Sequence, residues 1–157
     1  FTDPVVMNLK PEVFFEKFKS FLPATESAYY KVWKGFSAQS HLASESIISE
    51  QFNAFSAVQS VLKYLPENIV LHLANSMSVR YVAYLNGELK NSWQLHSNRG
   101  VSGIDGCTST AVGAALVDRK THILITGDIA FFYDINALWQ EHLPSNLQPS
   151  VLRRPRR

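Results

Sequence analysis

Ile123-Leu124-Ile125-Thr126-Gly127-Asp128, followed by Phe131-Phe132-Tyr133-Asp134-Ile135-Asn136-Ala137-Leu138, decides the fold class of this 157-residue chain. A short, β-branched apolar run stops at a glycine and hands over to a segment with helical spacing. That is how a strand buried on both faces enters a helix. The same pattern recurs upstream, where Ile69-Val70-Leu71-His72-Leu73 breaks at Ala74-Asn75-Ser76 and residues 77–85 read as a helix. Trp93-Gln94-Leu95-His96 is a second short strand. The loop Ser97-Asn98-Arg99-Gly100-Val101-Ser102-Gly103-Ile104-Asp105-Gly106 then leads into a helix of small residues over 107–116. Residues 121–126 form the third strand and 129–139 the next helix. Strand–helix alternation at this spacing predicts an α/β fold, a partial parallel sheet with right-handed crossovers and flanking helices.

An N-terminal helical segment precedes it. Pro11 suits the first turn of a helix, with Phe14, Phe18, Phe21 and Leu22 at one-face spacing until Leu22-Pro23 ends it. Residues 26–40 have weaker helical spacing through Tyr29, Val32, Trp33 and Phe36. The serine-rich patch 37–49 loosens that pattern and marks the expected boundary. Ser49, with Glu50 in the first turn, is expected to open a helix lined on one side by Phe52, Phe55, Val58 (or Gln59), Leu62 and Leu65.

Composition narrows the function classes. The formal charge is +2, yet four of the fifteen basic residues sit in Arg153-Arg154-Pro155-Arg156-Arg157. Without that tail, eleven basic residues face thirteen acidic ones, so the body is mildly acidic and carries no footprint for nucleic acid. Hydrophobic residues make up 46%, enough for a real core. The single cysteine, Cys107, excludes an internal disulfide and a cysteine-only zinc site. No apolar run reaches membrane-spanning length, and a reducing, cytoplasmic setting is expected.

In a parallel sheet, ligands gather at the carboxyl ends of the strands. Three loops share that edge here: Asn75-Ser76, residues 97–106, and Gly127-Asp128. Asp128 reads either as a helix N-cap serving the turn at Phe131 or as a carboxylate ligand to Mg²⁺ beside a diphosphate. Gly127 suits both readings. Arg80 and Arg99 are candidates for forked carboxylate binding, against the alternative of surface or structural arginines. Ile104, between glycines, reads as a core contact or as a wall against a ligand ring. Asp105 reads as a turn residue or a ligand. Cys107, His72 and His96 read as structural, and Asp134 and Asn136 as local fixtures of their turn and helix.

Together these runs resemble one family. The order Asn75-Ser76-x-x-x-Arg80, then Ser97-Asn98-Arg99-Gly100-x-Ser102-Gly103-Ile104-Asp105-Gly106, then Ser109-Thr110-Ala111-x-Gly113, then Gly127-Asp128-x-x-x-x-Tyr133-Asp134-x-Asn136-Ala137-Leu138 is similar to the thiamine-diphosphate-dependent 2-succinyl-5-enolpyruvyl-6-hydroxy-3-cyclohexene-1-carboxylate synthases of menaquinone biosynthesis. The likeness is specific over about residues 49–146. It implies the first half of a thiamine-diphosphate-binding domain over 41–150, preceded by the end of a central domain or linker over 1–40. Residues 151–157 are set apart as a basic tail foreign to the fold.

The resemblance further implies a transferase that decarboxylates 2-oxoglutarate and adds the succinyl carbanion to isochorismate. Asp128 would be the Mg²⁺ ligand. Gly127, Ile129 and Ala130 would approach the cofactor diphosphate, and Ile104 would support the bent cofactor. Ser76, Arg80 and Arg99 would bind substrate carboxylates. No catalytic residue is expected in this chain, because the family carries its activating glutamate on a pyrimidine-binding domain, usually of a second subunit. The isolated chain is accordingly expected to be inactive. The alternative is a non-catalytic α/β binding or interaction module that keeps a carboxylate- and phosphate-binding edge.

Two departures from the family pattern stand near the end. Leu147 begins the expected fourth strand, but Pro149 removes a ladder donor and is expected to disrupt a central strand. Arginines also occupy the place of an expected Asn-Asn that completes the metal site, and a cation there opposes Mg²⁺.

Overall fold

Leu71 and Ile125, on neighbouring strands, are 0% and 1% exposed and sit at the centre of the core. They belong to a parallel four-stranded sheet in the order β2-β1-β3-β4. The strands are β1 (Val70–Leu73), β2 (Gln94–His96), β3 (His122–Gly127) and β4 (Leu147–Leu152). The structure is a computed structural model and describes residues 3–22, 27–50 and 52–153. Arg154, Pro155, Arg156 and Arg157 of the basic tail lie outside the described residues, as do Pro23 and Glu26.

Side chains alternate across a strand, so β1 and β3 each divide their residues between two layers. Ile69, Leu71, Leu73, Ile123 and Ile125 pack with Val58 and Leu62 of α3 (Ala54–Tyr64) and Val82 of α4 (Met77–Tyr84). Burying one such aliphatic side chain contributes roughly 1.5–3 kcal/mol. The opposite face carries Val70, His72, His122 and Leu124 and is covered by α5 (Cys107–Val117). Ala111, Val112 and Ala115 are buried there, and their small side chains let α5 lie close to the sheet. Helices on both faces explain why β1 and β3 read as near-continuous apolar runs.

Two helix boundaries differ from the sequence expectation, each for a local reason. Ser49 and Glu50 do not open α3; they close α2 (Ala28–Glu50), which runs through the serine-rich patch without a break. The N-cap of α3 is Asn53. Its carboxamide oxygen accepts the Phe55 and Ser56 N–H groups at 2.9 and 3.0 Å, and the Ser56 hydroxyl accepts the Asn53 N–H at 2.8 Å. Phe52 precedes this cap and is 88% exposed, so it lines no helix face. The helix expected over 129–139 is divided into α6 (Asp128–Tyr133) and a short 3₁₀ turn over Ile135–Leu138. The break falls at Asp134, whose carboxylate reaches back to α5.

Pro149 lies within β4 without disrupting it, which corrects a third expectation. The His122 N–H donates to the Asn146 carbonyl at 2.8 Å, and the register pairs His122 with Leu147 and Leu124 with Pro149. Residues 146, 148, 150 and 152 therefore bond to β3, while Pro149 turns its missing donor to the outer side. Among the described residues β4 is an edge strand.

Compactness divides the chain into two units, up to Ala38 and from Gln39 onward. In the first, α1 (Pro11–Lys19) begins at Pro11 as expected but buries none of its residues. Its Phe14 and Phe18 rings stack on each other at 5.7 Å between centroids. The described helices contain no span long and apolar enough to cross a membrane.

Candidate functional site

The strand carboxyl edge opens into a cleft of about 500 Å³. Ser76, Ile104, Gly127, Asp128, Ile129 and Ala130 all line it. Six expected site residues from three loops, separated by up to 54 positions in sequence, thus share one surface. The reason is topological: parallel strands deliver every β–α loop to the same edge. Arg80 and Arg99 do not line this cleft. Arg80 is exposed on α4, with its Nη1 3.9 Å from the Met77 sulfur. The Arg99 Nη1 donates to the Asn75 Oδ1 at 3.3 Å.

Ser76 occupies the corner between β1 and α4 at φ 70°, ψ −127°. A side chain in this region costs on the order of 1–3 kcal/mol in backbone strain. The corner turns the chain sharply from strand to helix and leaves the Ser76 side chain exposed at the cleft.

Asn75, immediately before it, is 2% exposed and fully engaged. Its Nδ2 donates to the carbonyls of Asn98 at 2.8 Å and Gly103 at 2.6 Å. Further bonds fold the 97–106 loop. The Ser97 hydroxyl donates to the Leu73 carbonyl at 2.8 Å, and Asn98 Nδ2 donates to the Gly106 carbonyl at 3.2 Å and the Thr110 hydroxyl at 2.9 Å. Gly106 stands at φ 73° as the N-cap of α5, a conformation glycine adopts without a Cβ penalty.

Asp128 is the first residue of α6, and the N-cap is Gly127. The expected cap at Phe131 is absent; the Asp128 carboxylate instead accepts the adjacent Ile129 N–H at 2.9 Å. The Asp128 side chain stays half-buried at the cleft wall. A Cβ on Gly127 would meet nothing within 4 Å, so the glycine keeps this wall open rather than relieving a clash within the chain.

These features fit the diphosphate end of a metal-bound cofactor. Mg²⁺ asks for one or two carboxylates plus phosphate oxygens, and Asp128 offers one beside an open glycine wall. Among the described residues, no group of three or more His, Cys, Asp or Glu side chains converges on a metal position. Arg153 lines the same cleft and brings a cation to the wall that carries Asp128.

Two contributors were not singled out from sequence: Asn53 and Tyr81 line the cleft. Asn75 was placed at this edge without a role of its own, and its bonds organise the 97–106 loop. Asn53 carried the ordinary signal of an N-cap preceding an apolar helix. Asn75 stood in the edge loop after β1 and in the family-like order, but nothing in the sequence signalled its long-range bonds.

On the opposite sheet face, His72, His96 and His122 form a ladder across three strands. Ring centroids lie 5.6 Å apart for His72–His96 and 5.2 Å for His72–His122. His72 Nε2 and His122 Nδ1 are 2.9 Å apart. Burial, then the charges of His122 and His96, push His72 down to about 4. Burial also lowers His122, against the opposing pull of Asp118, whose carboxylate is 3.6 Å from its Nε2. The ladder is structural, as His72 and His96 were read from sequence. Asp134 reaches further than its expected local role: it is 5% exposed and accepts the Ser109 N–H at 2.7 Å and hydroxyl at 2.5 Å.

No protein-family model matches the chain. Curated relatives do. A 2-succinyl-5-enolpyruvyl-6-hydroxy-3-cyclohexene-1-carboxylate synthase from Cytophaga hutchinsonii is 52% identical over 101 residues, covering 64% of this chain and 18% of the relative. The synthase of the same name from Flavobacterium johnsoniae is 40% identical over 135 residues, 83% of this chain and 24% of the relative. The one from Bacteroides fragilis is 36% identical over 147 residues, 94% of this chain and 25% of the relative. The matched segment spans about a fifth to a quarter of the length of these relatives.

Proposed function

We propose, since this chain belongs to the 2-succinyl-5-enolpyruvyl-6-hydroxy-3-cyclohexene-1-carboxylate synthase family, that it builds the diphosphate- and carboxylate-binding edge of such an enzyme. The observation that carries this reading is the shared cleft of Ser76, Ile104, Gly127, Asp128, Ile129 and Ala130. The whole enzyme would join the succinyl unit of 2-oxoglutarate to isochorismate in menaquinone biosynthesis, in a cytoplasmic setting. When bound, thiamine diphosphate supplies a nucleophilic carbon and an electron sink for loss of CO₂ from a 2-oxo acid.

This chain's residues contribute binding and orientation. Asp128 would hold Mg²⁺, and the open wall at Gly127, continued by Ile129 and Ala130, would let the diphosphate approach the main chain. Ile104, on the facing loop, would press on the apolar part of the cofactor. Ser76 would donate a hydrogen bond to a substrate carboxylate. Arg80 and Arg99 would pair with the carboxylates of these polyanionic substrates, for which the planar guanidinium fork is suited. The activating carboxylate would come from the pyrimidine-binding domain, usually of a second subunit, and the isolated chain would be inactive.

A second reading is favoured by Arg153 in the cleft: a module that binds anions at this edge without metal-dependent catalysis. Exchanging this chain for the matching segment of the Cytophaga hutchinsonii relative separates the two. CO₂ release from 2-oxoglutarate with isochorismate, lost on Asp128→Asn, is the result expected of the synthase reading. A folded exchange protein that binds thiamine diphosphate equally with and without Mg²⁺, and releases no CO₂, would leave the anion-binding module.

A further inference from the structure

We propose that Asn75 is a positioning residue that couples the two ligand-facing arms of the site, and that it does so by holding Arg99 and Ile104 in one frame. This rests on the roles proposed above for those two residues. Asn75 stands at the end of β1, directly before Ser76, so it belongs to the arm that carries Ser76 and Arg80. All three of its recorded bonds cross to the other arm. The Asn98 carbonyl precedes Arg99, the Gly103 carbonyl precedes Ile104, and the third partner is the Arg99 guanidinium itself.

A carboxamide is the side chain that does this with least strain, because it presents two N–H donors and one carbonyl acceptor from a single planar group. At 2% exposure, water cannot readily replace any of the three bonds. The two carbonyls fix the backbone at both ends of the 99–103 segment. The bond to Nη1 then aims the guanidinium from a fixed base. Among the described residues, Nη1 is the guanidinium atom that Asn75 engages, which leaves the remaining N–H groups of Arg99 for a carboxylate fork.

Two substitutions separate the parts of this role. Asn75→Ala removes every bond. Asn75→Asp keeps an acceptor for Arg99 but sets carboxylate oxygens against the carbonyls of Asn98 and Gly103. ¹⁵N relaxation of the full chain, read at the 99–105 backbone amides and at the Arg99 side-chain nitrogens, is the test. In the wild type, Arg99 Nη rotation should be hindered relative to that of Arg80, whose Nη1 meets the weak acceptor sulfur of Met77 at 3.9 Å. Asn75→Ala should free both the backbone segment and the guanidinium, whereas Asn75→Asp should free the segment and leave the guanidinium restricted.

Succinate, a dicarboxylate probe, should bind the wild type and lose about tenfold in affinity in Asn75→Ala, the size of one charge-assisted contact. The loss should not add to that of Arg99→Ala in the double variant. Arg99 Nη groups in the wild type that rotate as freely as those of Arg80 would overturn the proposal, and this comparison needs no variant to fold. So would a 99–105 segment as rigid in a folded Asn75→Ala chain as in the wild type. Absence of succinate binding by the wild type would instead overturn the functional reading, with the relaxation data still deciding the positioning.

Discussion

His72 Nε2 and His122 Nδ1 meet at 2.9 Å between β1 and β3, so one buried imidazole serves the other as hydrogen-bond partner. That pairing requires at least one ring to remain neutral on the nitrogen that accepts. His72 is 4% exposed and held down to about 4 from its ordinary 6.5. The native state therefore binds fewer protons at this site than the unfolded chain between those two values, and stability rises with pH across that window. The contribution is whole above pH 6.5, declines as the pH falls toward 4, and is constant below. Urea unfolding at pH 7.5, 5.5 and 4.5 should show this decline, and His72→Gln should reduce it, leaving the part that the lowered His122 contributes.

Asp134 and Ser109 tie α6 to the first turn of α5 through two bonds to one buried carboxylate. Asp134→Ala is expected to destabilise the chain by roughly 1.5–3 kcal/mol, since it strands a buried N–H and hydroxyl. The midpoint of urea denaturation measures this. A change below about 0.5 kcal/mol would mean that the carboxylate is exchanged for water in solution.

Asn53 sets the start of α3, and Phe52 beside it contributes nothing to the packing of that helix. Asn53→Ala should cost about 1 kcal/mol, typical of a lost cap. Phe52→Ser, at an exposed position, should lie within about 0.5 kcal/mol of the parent. The reverse ranking in thermal unfolding would return the helix start to Ser49.

Pro149 keeps an N–H off the outer side of β4. Pro149→Val restores a donor there and raises β-propensity, which makes the edge a better template for another strand. Sedimentation velocity over a concentration series should show self-association of the variant at lower concentrations than the parent.

The local sequence determined the element types. Short, β-branched, near-continuous runs such as Ile69 to Leu73 favour strands covered on both faces, and their alternation with helical periodicity leaves a parallel sheet as the economical solution. The convergence of Ser76, Ile104, Gly127 and Asp128 followed from that topology, because every β–α loop of a parallel sheet ends at the same edge. The family likeness was legible at the same residues. What tertiary structure alone decided were the long-range bonds of polar side chains. Asn75 looked like a strand breaker until its partners at 98, 99 and 103 were placed around it, and Asp134 looked local until Ser109 lay beneath it. Pro149 was read as disruptive because a sequence does not say which side of a strand faces its neighbour. Hydrophobic period is a property of adjacent residues, whereas a hydrogen bond across 23 or 25 positions depends on how the sheet brings its loops together.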